Sequence, residues 1–339
     1  MKAIIVDKLS DNIKDIKYQD IAKPELKKEG DVLVKIKACG LNFYDILMIK
    51  GTYQIKQKAP FILGTEFAGI VTQVKNSKKY KVGDRVFGCG LGANAEYIAI
   101  NEKALFHLPD NLSYIQGSGL FITYPTALSA LKLRAELKQG ESILIHGSTG
   151  GVGIVAVKMA KLLGATVIAT GTDDNKLKIV KDYGADYIVN IKTEGKEWIN
   201  KVKEITNKKG VDCVYDPVGL VNDSVSCLKF SGKIIVIGFA IGKHEAVQTN
   251  RILLKNISIV GLHWGAYTQH QPKVIPEIWT QILKWLTDKQ LIPLIYPDIF
   301  DISETPQALS LLKDRKSYAK VVITVGDQNE VYNNINNKL

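Results

Sequence analysis

The chain is predicted to be an α/β protein with a doubly wound parallel sheet, and two features of its 339 residues predict that class. From residue 142 to residue 261, short apolar strands alternate with helical patterns, which is typical of a parallel sheet covered by helices. At the start of this region a glycine-rich turn lies between an apolar strand and an apolar helix. The length also exceeds what one ordinary core supports, so we expect a second domain.

Short β-like segments fill most of the first 120 residues. They are separated by turns that contain glycine, such as the one at 81–86, and they lie at 2–6, 32–38, 67–74 and 95–100. Strands this short, joined by such turns, are typical of a small antiparallel barrel. A helical pattern between 114 and 133 then leads towards the parallel region.

The glycine-rich turn follows a strand predicted at 142–146. Gly147, Gly150 and Gly153 have the spacing G-x-x-G-x-x-G, which allows a tight turn, a close backbone approach to a pyrophosphate and close packing of the next helix. The N–H groups at the N-terminus of that helix favour an anion. The stretch therefore predicts a dinucleotide site, and the other strands of its sheet are predicted at 166–170, 187–190, 211–215, 233–237 and 257–261.

After residue 261 the regular alternation of strands and helices does not continue. Helices near 273–287 and 304–314 and a strand at 320–325 could return to the first domain. The segment 327–339 is polar and rich in Asn, so we expect it to be disordered.

Composition and charge exclude several classes of protein. No apolar run is long enough to span a bilayer and no secretory leader is recognised, so we expect a cytoplasmic protein without a membrane partner. The net charge of +11 comes mainly from lysine, and because no nucleic-acid motif accompanies it, we do not expect a nucleic-acid partner. The four cysteines form no C-x-x-C pair, and none of the five histidines lies in a metal-ligand motif.

Several longer motifs resemble a known family. The chain is similar to the medium-chain dehydrogenase/reductase superfamily in Ala-Cys-Gly-Leu-Asn-Phe-Tyr-Asp (38–45), Lys-Gly-Thr-Tyr (50–53), Leu-Gly-Thr-Glu-Phe-Ala-Gly-Ile-Val (63–71), Lys-Val-Gly-Asp-Arg-Val (81–86) and Val-Asp-Cys-Val-Tyr-Asp-Pro-Val-Gly (211–219). Within it, Gly-Phe-Ala-Ile-Gly (238–242) and the stretch 253–265 resemble the quinone oxidoreductase, or zeta-crystallin-like, family.

The resemblance implies a domain arrangement. A GroES-like β-barrel catalytic domain would comprise 1–124 and 266–326, and an NADPH-binding Rossmann domain, 125–265, would be inserted in it. The family also implies a homodimer, which we expect to form through the last strand of the parallel sheet because an exposed apolar edge favours pairing.

The resemblance also implies a site without metal. Asn42 and Thr65 lie where zinc-dependent relatives carry ligands, and an amide and a hydroxyl are poor zinc ligands. Asn42 and Tyr53 lie at the family's active-site positions and are the expected catalytic residues. Asn42 could instead cap a loop, and Tyr53 could only pack against the barrel edge. Asp45 is expected to be a helix N-terminal residue rather than an acid catalyst.

The cofactor is expected to be NADPH. In NAD-binding sheets an acidic residue about twenty positions beyond the glycines accepts from the ribose 2′-hydroxyl, but Gly171 stands there. Thr172 and Lys176 can meet a 2′-phosphate instead, although Asp173 and Asp174 lie close enough to oppose it. The expected cofactor-binding residues are Thr126, Thr149, Gly150, Gly151, Val152, Gly171, Thr172, Lys176, Gly238, Phe239, Ala240, His263 and Trp264.

Three functions follow from this pattern. The favoured one is an NADPH-dependent reductase of quinones or related conjugated carbonyls, because without a Lewis acid the developing charge must be delocalised or met by hydrogen-bond donors. The second is an enoyl-thioester reductase, since those relatives share the Asn-x-x-Asp and Gly-x-Tyr elements. The third is a non-enzymatic NADPH-binding protein.

Overall fold

The computed structural model describes residues 1–54, 56–242 and 244–326. The disorder predicted for 327–339 therefore concerns residues outside the described range. The chain divides into two compact units. Among the described residues, unit 1 comprises 1–122 and 293–326, and unit 2 comprises 123–292.

The elements of the described chain are as follows. The strands are β1 (Lys2–Val6), β2 (Lys17–Asp20), β3 (Asp31–Gly40), β4 (Phe61–Ile62), β5 (Glu66–Val74), β6 (Arg85–Cys89), β7 (Tyr97–Asn101), β8 (Leu105–His107), β9 (Ser142–Ile145), β10 (Thr166–Gly171), β11 (Tyr187–Asn190), β12 (Val211–Asp216), β13 (Leu228–Val236), β14 (Ser258–Gly261), β15 (Phe300–Asp301) and β16 (Val322–Thr324). The α-helices are α1 (Phe43–Lys50), α2 (Tyr114–Ser118), α3 (Thr123–Ser129), α4 (Gly151–Leu162), α5 (Asp174–Asp182), α6 (Trp198–Ile205), α7 (Val221–Ser224), α8 (Thr249–Lys255), α9 (Tyr267–His270), α10 (Ile275–Thr287) and α11 (Thr305–Lys313).

Unit 1 is mainly antiparallel. Its larger sheet has the order β15-β16-β3-β5-β6-β8, with β7 also paired to β3, and a smaller sheet has the order β2-β1-β4. The long strand β3 pairs with β5, β7 and β16, and its apolar side chains are buried in a core that includes Ile36, Phe67 and Leu309. The ends of β3, β5 and β16 therefore meet at one place, which is where polar side chains collect.

Unit 2 contains the predicted parallel sheet. Its order is β11-β10-β9-β12-β13-β14, and neighbouring strands are parallel throughout. The order reverses between β9 and β12, and ligands of such sheets bind outside the carboxyl ends of the strands at that point. The α/β class is confirmed, and the ends of the predicted strands lie within one residue of the observed ones, except that β13 begins earlier, at Leu228.

Helix α4 is fixed against this sheet by an almost continuous apolar surface. Ile154, Val157 and Met159 are buried, and the helix ends before Gly164, whose φ of +83° suits the residue that follows a helix C-terminus. Its N-terminus consequently lies directly after the glycine turn.

The boundary at which the chain returns from unit 2 to unit 1 lies at 292/293. The sequence led us to expect this boundary at 265/266. Helix α10 accounts for the difference, because it contacts α3 of unit 2 and buries Ile278, Trp279 and Ile282. The return to unit 1 comes afterwards, where α11 contacts α1 and β16 pairs with β3.

Candidate functional site

The glycine turn has the close approaches that its sequence predicts. Gly147 has a φ of +55°, a region that favours glycine. A Cβ on Gly153 would lie 2.8 Å from the carbonyl carbon of Gly147 and closer still to its oxygen, so the helix can approach the strand only if residue 153 is glycine. Gly150 is the N-cap of α4 and offers no side chain to the first N–H groups of the helix. Those N–H groups have no intrahelical partners and are oriented to bind an anion.

The end of β10 lies beside this turn. A Cβ on Gly171 would lie 3.3 Å from the Thr149 side chain, so the two predicted residues are neighbours. Thr172 is exposed, and Lys176 is half-buried in the first turn of α5. Burial lowers the pKa of Lys176, and the nearby Asp173 opposes that shift.

The two aspartates beside Lys176 have structural partners. The Asp173 carboxylate is the N-cap of α5 and accepts from the Lys176 backbone N–H at 3.1 Å. The Asp174 carboxylate accepts from the Asn190 amide at 2.8 Å. Both carboxylates are thus held by protein donors, which the sequence could not show.

The loop after β12 connects Ala240 to the glycine turn. The Ala240 backbone N–H donates to the Pro217 carbonyl at 3.2 Å, and a Cβ on Gly147 would lie 2.8 Å from Val218. Asp216 fixes this loop, because its buried carboxylate accepts from three backbone N–H groups, those of Val218, Gly219 and Leu220, at 2.6–2.9 Å. Sequence reasoning missed Asp216 as a site residue, although it lies in the Asp-Pro-Val-Gly motif that carried the resemblance.

The other predicted cofactor residues of unit 2 are less closely connected to the turn. Thr126 lies on α3, which contacts α4 and the short helix 264–266. His263 is exposed, and Trp264 stacks on Tyr267 with ring centroids 5.2 Å apart. Phe239 is 40% exposed. No described contact joins the side chains of Phe239, His263 and Trp264 to the glycine turn.

His146, at the end of β9, is a buried structural residue. Its ring nitrogens lie 2.8 Å from the hydroxyls of Thr170 and Ser224, and the ring packs edge-on against Trp198. Burial lowers its pKa, which favours the neutral ring.

A buried polar cluster occupies the meeting point of strand ends in unit 1. The Asn42 amide donates from Nδ2 to Glu66 Oε1 at 2.7 Å, and Lys320 Nζ donates to Asn42 Oδ1 at 2.7 Å. Lys320 and Glu66 also form an ion pair, and Glu66 Oε2 accepts from the Ile122 backbone N–H at 3.1 Å. We call Asn42, Glu66 and Lys320 the buried triad; at most 8% of each residue is exposed.

Asp45 lies next to the buried triad. Its Oδ2 accepts from the Asn42 backbone N–H at 2.7 Å, whereas its buried Oδ1 has no hydrogen-bond partner among the described residues. Burial raises the Asp45 pKa to about 7, while the Asn42 N–H and Lys320 lower it and Glu66 raises it. The carboxyl therefore titrates near neutral pH, although it opens helix α1 as expected.

Tyr53 is half-buried and stacks on Tyr44, with ring centroids 5.3 Å apart and an interplanar angle of 29°. Burial raises its pKa, and Asp45 adds to the shift. The proton consequently stays on the phenol at neutral pH. No described contact joins Tyr53 to Asn42.

The residues at the zinc-ligand positions offer no metal-binding set. Thr65 has a buried hydroxyl without a described partner, and Asn42 is engaged by Glu66 and Lys320. Within the described ranges, no three His, Cys, Asp or Glu side chains come together in a way that could hold a metal ion. Likewise, none of the described helices is both long and apolar enough to cross a membrane.

Comparison with known proteins gives matches along both units. The family described as alcohol dehydrogenase GroES-like domain matches residues 28–110, and the family described as zinc-binding dehydrogenase matches 151–287. The quinone oxidoreductase-like protein 2 homolog of Nematostella vectensis is 34% identical over 316 residues, which cover 91% of this chain and 86% of the relative.

Two solved structures agree with this result. A probable oxidoreductase from Mycobacterium abscessus is 33% identical with a TM-score of 0.86, and the match covers 96% of this chain and 98% of that one. The Escherichia coli quinone oxidoreductase complexed with NADPH is 26% identical with a TM-score of 0.87, over 96% of this chain and 100% of that one. The chain therefore belongs to the zinc-free quinone oxidoreductase family of the medium-chain dehydrogenases/reductases.

Proposed function

We propose that this protein is an NADPH-dependent oxidoreductase that reduces quinones or related conjugated carbonyls by metal-independent hydride transfer. Unit 2 would bind the cofactor and unit 1 would carry Asn42 and Tyr53. The observation that carries the proposal is the buried triad: where zinc-dependent relatives hold ligands, this chain has an amide fixed between a carboxylate and an ammonium group.

The residues of unit 2 fit NADPH. The N–H groups at the start of α4 would bind the pyrophosphate, and Thr172 and Lys176 would bind the 2′-phosphate. Gly171 leaves the end of β10 without a carboxylate, and Asp173 and Asp174 are engaged by other donors. When bound, NADPH supplies the hydride.

We expect a preference for NADPH over NADH that depends on Lys176. In the wild type, kcat/KM with NADPH should exceed that with NADH at least tenfold, and Lys176→Ala should abolish most of this difference by weakening NADPH alone. A charge-assisted contact with a phosphate contributes about 1.5–3 kcal/mol, so the expected loss is on the order of 10- to 100-fold. Steady-state kinetics with both cofactors measures it.

Lys178→Ala is the matched control, because Lys178 is an exposed lysine of the same helix. It should leave the cofactor preference within about twofold of wild type. Equal efficiency with NADH and NADPH in the wild type contradicts the assignment of Thr172 and Lys176.

The acceptor class follows from how charge is handled during reduction. Asn42 and Tyr53 can only donate hydrogen bonds or a proton, which is weaker stabilisation than a Lewis acid provides. A quinone spreads the developing charge over its ring and is readily protonated by water. An enoyl thioester instead leaves an enolate that needs a positioned proton donor. The protonated Tyr53 phenol specifically supports this second candidate function.

Tyr53→Phe separates the two chemistries. We expect the wild type, dialysed against a chelator, to reduce a small quinone more efficiently than a short enoyl-CoA, and the variant to keep more than about a third of its quinone activity. Activity on an enoyl-CoA should fall on the order of 100-fold in the variant. Tyr44→Phe, which alters the stacked neighbour, is the control and should change neither activity more than about threefold.

Efficient enoyl-CoA reduction that Tyr53→Phe abolishes, with feeble quinone turnover, would transfer the assignment to an enoyl-thioester reductase. NADPH binding without turnover of any quinone, enone or enoyl-CoA would support the non-enzymatic function. A cytoplasmic location without membrane or nucleic-acid partners stays a prediction.

We also propose a homodimer formed through β14. This strand is the edge of the parallel sheet, and the helix before it, α8, exposes Leu253 (78%) and Leu254 (76%). Large apolar side chains beside an unpaired edge favour association with a second copy. Light scattering at micromolar concentration should give twice the 37.5 kDa chain mass.

The double variant Leu253→Glu/Leu254→Glu should give the monomer mass, because a dimer interface would then bury four carboxylates. Val82→Glu, at an exposed apolar position of unit 1, is the control and should stay dimeric. A monomeric wild type rules out the proposed assembly.

A further inference from the structure

The Asn42 side chain is bound at both ends by opposite charges. Its carbonyl oxygen accepts from the Lys320 ammonium and its nitrogen donates to the Glu66 carboxylate, both at 2.7 Å. A flipped amide would direct its N–H groups at the ammonium and its oxygen at the carboxylate, and both contacts would be repulsive. The charges therefore select one orientation of the amide.

One N–H of this amide remains weakly held. Nδ2 carries two protons, and the first donates to Glu66. Among the described residues, the second meets only the Gly40 carbonyl, at 3.5 Å, the outer limit of a hydrogen bond. A ligand oxygen can replace that contact at little cost, so the second proton is the one that Asn42 can offer to a bound molecule.

The pairing of the strand ends places Glu66 and Lys320 beside Asn42. Glu66 is the partner of Gly40 in the β3–β5 pair, and Lys320 lies just before β16, which pairs with the same end of β3. A Cβ on Gly40 would lie 2.5 Å from the Ser118 carbonyl oxygen and 2.7 Å from Lys320 Cε, so a glycine is needed for the lysine to pass. The ion pair is thus placed by backbone pairing rather than by a flexible surface contact.

From this geometry we propose that Lys320 and Glu66 are positioning residues for Asn42: their ion pair fixes the amide so that its second N–H donates to an oxygen of the bound acceptor. The inference rests on the proposed function, in which Asn42 is a hydrogen-bond donor, and explains how that donor is oriented. Lys320 also polarises the amide through the carbonyl oxygen, which strengthens the N–H as a donor.

The decisive variant removes both charges. Lys320→Met and Glu66→Gln alone should each destabilise the fold, because each leaves an uncompensated charge in a buried place. The double variant Lys320→Met/Glu66→Gln removes both charges of the pair, so below pH 7, where the buried Asp45 carboxyl holds its proton, its Tm should recover towards wild type. Its kcat for NADPH-dependent quinone reduction should nevertheless fall at least tenfold, with the Kd for NADPH within about twofold. Lys320→Arg, which keeps the cation, should retain most of the activity.

An Asn42→Ala background shows whether the pair acts through the amide. There the Lys320→Met/Glu66→Gln change should lower kcat no further, because the group that it positions is absent. A double variant with recovered Tm and wild-type kcat, or an equal loss of kcat with and without Asn42, overturns the proposal.

A spectroscopic readout keeps the inference separate from the proposed function. In 15N-labelled wild-type protein the Asn42 side-chain amide, assigned by its loss in Asn42→Ala, should give two well-separated proton signals that exchange slowly with water. In the charge-free double variant the proton bound to Glu66 should lose its downfield shift, and both protons should exchange faster with water. Unchanged signals there overturn the positioning role. Since this measurement needs no acceptor, an enzyme that reduces no quinone would contradict only the proposed function.

Discussion

Gly153→Ala is expected to raise the Kd for NADPH at least 100-fold, which corresponds to about 2.8 kcal/mol. The added Cβ would lie 2.8 Å from the Gly147 carbonyl carbon and 2.8 Å from Ser148 Cα, with the Gly147 oxygen nearer still. All three are backbone atoms of the turn, so no side-chain rotation relieves the contact. Helix α4 must move away from the turn, and its N–H groups then no longer converge on the pyrophosphate.

Stability should fall as well, by about 1–3 kcal/mol, as for other overpacked sites. This loss would occur although alanine is a better helix former than glycine. Gly150→Ala is the matched control. Its Cβ would come no closer than 3.4 Å to the turn, and Gly150 has a φ of −83° that any residue adopts, so it should unfold like wild type. Calorimetric NADPH titration of wild type and Gly153→Ala, with thermal unfolding of all three proteins, tests this, and an unchanged Gly153→Ala protein contradicts the close-packing role.

Asp45 should make the protein less stable as the pH rises from about 4 to about 7. Burial raises the pKa of this carboxyl from its ordinary value of 3.8 to about 7. Between those values the folded state holds the proton that the unfolded state has lost. The free energy of unfolding therefore falls as the pH rises towards 7, and this contribution is constant above that pH.

The expected change in the free energy of unfolding is large. Each pKa unit corresponds to about 1.4 kcal/mol, so the difference is on the order of 4 kcal/mol. Asp45→Asn cannot ionise and should lack this contribution, so the stability of the variant relative to wild type should rise between pH 4 and pH 7. Denaturant unfolding at a series of pH values measures it.

Asp182→Asn, at an exposed position of α5, is the control and should leave the pH dependence as in the wild type. If the difference in the free energy of unfolding between Asp45→Asn and wild type stays constant from pH 4 to pH 7, Asp45 is ionised in the folded protein throughout that range.

Much of unit 2 could be predicted because its signals are local. The strand, glycine turn and helix around Gly150 are contiguous, and the spacing of the glycines encodes close contacts between residues only a few positions apart. Alternation of strands and helices similarly predicts a parallel sheet from short-range periodicity. The end of the nucleotide unit was harder to predict, since whether α10 packs on α3 depends on contacts between distant segments.

The fold class, the glycine turn and the absence of a carboxylate at Gly171 could be predicted from the amino-acid sequence, because each depends on residue type and near neighbours. The surroundings of Asn42, in contrast, depend on contacts between distant parts of the chain. Glu66 lies 24 residues from it and Lys320 lies 278 residues from it, and strand pairing alone brings them together. Tertiary burial also decided that Asp45, an ordinary helix-opening aspartate in the sequence, titrates near pH 7, because a pKa depends on the water that the fold excludes.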